Sequence, residues 1–76
     1  MIPEHDRIVL TCDLPEVGLR AGDIGTVVHV YAGDAYEVEF MTLDGKTVAV
    51  ETLEKDQVRP IGPDDMHHAR PLERRA

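Results

Sequence analysis

The chain has 76 residues, a formal net charge of −7, 42% hydrophobic residues, one cysteine and no tryptophan. That length excludes a second domain and leaves a thin core, because a domain of this size buries only about 60% of its unfolded surface. So acidic a surface repels phosphate backbones, whose affinity comes largely from Lys and Arg displacing counterions, and this argues against nucleic acid as a partner.

The charge is unevenly placed. Residues 1–63 carry twelve acids against five bases, whereas residues 64–76 balance three against three. The acidity therefore belongs to the folded part, where it serves solubility and suits a basic protein partner. The lone Cys12 excludes an internal disulfide and points to a reducing, cytoplasmic compartment. Within "RIVLTC" it reads as an inert strand thiol. "MIPEHDR" holds no apolar leader and no run reaches membrane-spanning length, so no membrane association is expected.

Short runs parted by turn residues follow one another. "DRIVLTC" reads as a first strand, with Ile8 and Leu10 on one face and Arg7, Val9 and Thr11 on the other. "DLPEVGLRAGD", Asp13 to Asp23, is a long ordered loop in which Gly18 and Gly22 suit positive φ. "IGTVVHVY" is a second strand; period two groups Ile24, Thr26, Val28 and Val30, and this more apolar set is assigned to the core. "AGDA" reverses the chain.

"YEVEFM" alternates most clearly, with Tyr36, Val38 and Phe40 inward and Glu37, Glu39 and Met41 outward. "LDGK" predicts a type I′ hairpin through Asp44-Gly45. "TVAVET" is a fourth strand with Val48 and Val50 inward; "LEKDQ" suits a single 3₁₀ turn. "VRPI" is a brief fifth strand that Pro60 confines to an edge. These elements place the domain at residues 1–62. Residues 63–76 are expected to form a flexible or weakly ordered tail, or a short helical turn near Asp64–Ala69 capped by Asp64. Five strands, a long first loop, tight hairpins and a 3₁₀ turn before the last strand describe an all-β fold, a small SH3-like barrel closed on itself. An OB-like barrel needs a helix between strands three and four, for which "LDGK" leaves no room.

"DLPEVGLRAGDIGTVVHVY", "AYEVEFMTLDGKTVAVETL" and "KDQVRPI" together resemble a family of short bacterial proteins classified as a domain of unknown function. Leu14, Pro15, Glu16, Gly18 and Leu19 match its loop, Gly25–Val28 its next strand and Tyr36–Phe40 its third; the match runs over about residues 6–61. The resemblance implies an SH3-like barrel, similar in shape to that of the nitrile hydratase β subunit. It implies no established activity. It suggests a partner of neighbouring gene products, antitoxin-like or accessory.

Candidate chemistry is sparse. His5, His29, His67 and His68 lack paired zinc-ligand spacing, so no metal and no cofactor are expected. Glu37 and Glu39 share a strand face about 6.5–7 Å apart, but both face solvent, without the asymmetry that separates acid from base. "GDIGTVVHVYAGDAYEVEF" also resembles the KOW-type barrel motif, yet its loops carry Asp23, Asp34 and Asp44 where such modules carry bases. With tryptophan absent, the aromatic groove that grips proline-rich ligands cannot be built.

The first loop remains. Leu14, Pro15, Val17 and Leu19 are four apolar side chains in about eleven residues. Folded inward they cap the barrel; left outward they form an apolar patch beside Glu16 and Arg20. The expected division has Leu14 and Leu19 as cap and Pro15 and Val17 as contact. The reading is a non-enzymatic, acidic protein-binding module, with an antitoxin-like role as one form. It acts through Leu14, Pro15, Glu16, Val17, Leu19 and Tyr31 and an exposed edge strand. No catalytic residues are expected. The partner is a protein, basic in the fitting case, or a second copy in a homo-oligomer. The alternative is an accessory subunit or regulatory protein of an enzyme complex, favoured if Glu16, His29 and Tyr31 converge in a cleft.

Overall fold

The computed structural model describes residues 2–72. Five antiparallel strands, β1 (Arg7–Leu10), β2 (Ile24–Tyr31), β3 (Ala35–Met41), β4 (Thr47–Glu54) and β5 (Val58–Pro60), form one sheet in the order β4-β3-β2-β1-β5. The fold is all-β, with the strand order of an SH3-like barrel. Among the described residues no ladder joins β4 to β5, so the sheet is open in its hydrogen bonding. The core is closed by side chains instead. Ile8 and Leu10 of β1, Val27 of β2, Tyr36, Val38 and Phe40 of β3, Leu53 of β4 and Val58 of β5 pack in one cluster with Leu19 of the first loop. Each fully buried apolar side chain of this kind stabilises the fold by roughly 1.5–3 kcal/mol.

Strand β3 follows its alternation: Tyr36, Val38 and Phe40 are buried. Strand β2 does not keep one phase. Val27 pairs with Val38 and His29 with Glu37, so Val28 is an extra residue in a bulge. Gly25 and Val27 therefore face the core before it, and Val30 packs against the core after it. The set Ile24, Thr26, Val28, Val30 is thus split. Val27 is fully buried, whereas Ile24 is 46% and Val28 37% exposed.

Strand β4 shows the same effect. Phe40 pairs with Ala49 and Met41 with Thr47, which leaves Val48 at a register shift. Val48 still packs on the core, but Val50 turns outward and Leu53 is the buried residue. The strand runs to Glu54, and the 3₁₀ turn is the shorter Lys55–Gln57. There Glu54 donates its backbone N–H to Gln57 Oε1 at 2.8 Å, and Thr11 donates to the Gln57 carbonyl at 2.9 Å. Val9 faces outward as expected, yet it is only 8% exposed, flanked in the ladder by Ile24 and Arg59.

The turn chemistry is also partly different. Gly18 and Gly22 have φ of 75° and 98°, as their loop requires. At Thr42–Lys46 only Gly45 has positive φ, at 88°, so the hairpin is not type I′. The Gly45 N–H donates to the Thr42 carbonyl at 3.0 Å and the Thr42 N–H to Lys46 at 2.9 Å, a three-residue loop closed by its glycine. No helical turn forms over Asp64–Ala69; the turn is at Gly62–Asp65. There Asp65, not Asp64, accepts the Gly62 N–H at 2.7 Å.

Candidate functional site

The first loop is a tied structure. Leu14 and Leu19 exchange backbone hydrogen bonds of 2.9 and 3.1 Å and close a small ring over the 3₁₀ turn Pro15–Val17. Pro15 suits the first position of that turn, where an N–H has no partner to lose. Gly18 leaves it in the left-handed region. Leu19 is buried and Leu14 and Val17 are half-buried against the core, while Pro15 and Glu16 are exposed. The cap is therefore formed by three of the four apolar loop residues, with Val17 among them; Pro15 is the apolar one left at the surface, beside Glu16 and Gly18.

Below the ring the loop is stitched to β1. Leu10 donates to the Asp23 carbonyl and Gly22 to the Leu10 carbonyl, each at 2.8 Å. Asp13 Oδ1 accepts the Ala21 N–H at 2.9 Å, and Asp23 Oδ2 accepts the Arg20 N–H at 2.8 Å. Asp23 then receives a guanidinium from 47 residues away: Arg70 Nε donates to Oδ1 at 2.9 Å and Nη2 to Oδ2 at 2.6 Å. Arg70 Nη2 also donates to the Gly18 carbonyl at 3.0 Å. The two side chains are only 20% and 18% exposed. Partial burial pushes the Asp23 carboxyl up, but the Arg70 hydrogen bond, the Arg20 N–H and both arginine charges outweigh it, and its pKa is lowered.

A second forked pair holds the start of the same segment. Arg59 Nη1 and Nη2 donate to the two Asp65 oxygens at 3.0 and 2.9 Å. Those bonds, with the Gly62 N–H, bring the Asp65 carboxyl down to about 2. Neither forked pair was evident in the sequence.

Tyr31 is not part of the loop surface. It ends β2, whereas the loop enters at Ile24, about 20 Å away along an extended strand. Its hydroxyl donates to Glu37 Oε1 at 3.2 Å, and its ring meets His29 edge-on at 4.6 Å. His29 Nδ1 lies 3.5 Å from Glu4 Oε2, while Glu16 sits in the first-loop turn Pro15–Val17. Glu37 and Glu39 accept from threonines of β4, Thr52 and Thr47, each at 2.6 Å. They serve as cross-strand links. Among the described residues no group of three or more His, Cys, Asp or Glu side chains converges as a metal site would. No helix among them is long and apolar enough to cross a membrane.

Fold and site together define a small SH3-like all-β domain with a tied first loop, onto which its C-terminal segment folds back. The family model described as "Domain of unknown function (DUF4926)" matches residues 4–60, and the chain belongs to that family. No curated protein and no solved structure gives a significant match.

Proposed function

We propose that the protein is a non-enzymatic, acidic protein-binding module that holds a basic partner through its first loop and the open edge of β4. The observation that carries the reading is the charge of the β2-β3-β4 meander. Its strands carry Glu37, Glu39, Glu51 and Glu54 and no lysine or arginine. The meander ends in an eight-residue edge on which Val50 is 46% exposed. Such an edge offers unpaired backbone groups to an incoming strand. Pairing two copies of β4 would set glutamates of like charge side by side, which disfavours self-pairing relative to a basic strand. Pro15 and Glu16 add a second contact at the loop tip. A reducing cytoplasmic setting fits the free thiol of Cys12, and masking a basic protein, as an antitoxin does, is one form of the role.

The test is capture from the native host by the intact chain, by Val50→Lys and by Glu16→Lys. The captured protein should be basic, and both substitutions should weaken its retention. Melting should stay within about 0.5 kcal/mol of wild type, as for exposed sites. Equal capture by all three chains would refute the proposal.

A further inference from the structure

The Arg70 contact joins the family-matched residues to the segment that follows them. The receptor is the Asp23 carboxylate and the Gly18 carbonyl, both inside the family-matched residues 4–60. The occupant lies ten residues beyond that span. The receptor is also held by bonds that do not involve Arg70. The Arg20 N–H fixes Asp23 Oδ2, the Leu10–Asp23 backbone bond fixes the base, and the left-handed Gly18 follows the loop ring. A carboxylate and a carbonyl set in this way match the planar fork of a guanidinium.

The occupying segment is held mainly at its two ends. Arg59 grips Asp65 and Asp23 grips Arg70, while Met66 between them is 90% exposed and residues 66–70 form no helix or strand. Two residues after Arg70, Leu72 is half-buried beside a shallow apolar groove lined by Ile24, Met41 and Val48. The segment therefore presents Arg-x-Leu to a notch followed by a groove.

We infer that the Asp23–Gly18 notch is an arginine-recognition site for an Arg-x-apolar segment of the basic partner, and that Arg70-Pro71-Leu72 fills it as an intramolecular competitor. This rests on the partner being basic, as proposed above. Its chemistry is complementary: one anionic fork, one carbonyl acceptor and an adjoining apolar strip. A tethered competitor acts at an effective concentration of about millimolar, so it screens out weak ligands and yields to a ligand with additional contacts. The β4 edge supplies such contacts.

The test is backbone amide NMR on the full chain, with no partner present. The probes are the capped peptide Met-His-His-Ala-Arg-Pro-Leu and the same peptide with citrulline for arginine. In Arg70→Ala the signals of Gly18, Gly22 and Asp23 should leave their wild-type positions. The arginine peptide should return them saturably, while the citrulline peptide and the wild-type chain should each respond at least about tenfold more weakly. Asp23→Asn combined with Arg70→Ala should lose the response, and Arg70→Gln should behave as Arg70→Ala. Unmoved signals in Arg70→Ala, equal response to the two peptides, or wild type binding as well as the variant would each overturn the inference. Because no partner is used, these outcomes stand apart from those of Val50→Lys: a failed notch leaves the edge reading intact, and the reverse.

Discussion

Gly25→Ala tests how closely the central strands of the sheet pack. Gly25 sits at the centre of the sheet, paired with Phe40 of β3 on one side and Ile8 of β1 on the other. A methyl group there would lie 2.5 Å from Val38 Cγ1 and 2.9 and 3.0 Å from Phe40 Cε1 and Cδ1. Val38 is fully buried and Phe40 2% exposed, so neither can swing into solvent. The backbone of Gly25 lies outside the left-handed region, which makes the penalty steric rather than conformational. Overpacking of this kind costs about 1–3 kcal/mol, and the reduced freedom of the unfolded chain offsets only about 0.4–1 kcal/mol. A net loss of about 2 kcal/mol is expected, toward the upper part of that range because a 2.5 Å contact forces a shift. In a domain of this length it lowers Tm by roughly 8–16 °C. Circular dichroism melts and urea titrations should show a lower midpoint with an unchanged denaturant slope. Val38→Ala in the same chain removes the closest atom, so the double variant should be less destabilised than the sum of the singles by about 1 kcal/mol or more. A Tm within about 2 °C of wild type, or strict additivity, would refute the packing argument.

The remaining predictions concern the loop and the second forked pair. Leu14→Ala with Leu19→Ala should lower stability by at least about 2 kcal/mol, most of it from the buried Leu19; an unchanged melting curve would remove the cap. Asp65 should titrate near its lowered value of about 2 in carboxyl NMR and move only part of the way up toward the ordinary carboxylate range in Arg59→Gln, because the Gly62 N–H still donates to it. A folded-state pKa below the unfolded one means that this contribution is complete above about pH 4 and is lost as pH falls toward 2. A midpoint near 4 in the wild type would contradict the pair.

How far the sequence was legible follows from which signals are local. β3 could be read directly because its ladder to β2 leaves Tyr36, Val38 and Phe40 in a single phase, and its shift against β4 comes only at Phe40–Met41. β2 and β4 depart from plain alternation because each contains an irregularity. The run Ile24, Thr26, Val28, Val30 has more hydrocarbon than Gly25, Val27, but the bulge at Val28 lets the core take its residues from both sets. Gly25 carries no hydrocarbon for a period to register, yet its missing side chain is what the Phe40 ring needs. In the first loop, positive φ at Gly18 and Gly22 could be read because that freedom is intrinsic to glycine, whereas the 3₁₀ turn Pro15–Val17 inside the loop was not. The Asp23–Arg70 pair left no trace of that kind. An ion pair across 47 residues has no period and no spacing, and "ARPL" in a proline-containing segment resembles any solvated tail. Tyr31 carries no local signal of its place; strand length puts it at the opposite end of β2 from the loop.

The reciprocal Leu14–Leu19 bonds have a consequence for how this surface can diversify. They lock the stem of the ring, while Pro15 and Glu16 are exposed and lie outside the core cluster. Replacement at those two positions leaves the hydrocarbon beneath undisturbed. The crest can therefore be exchanged residue by residue without renegotiating the architecture that supports it.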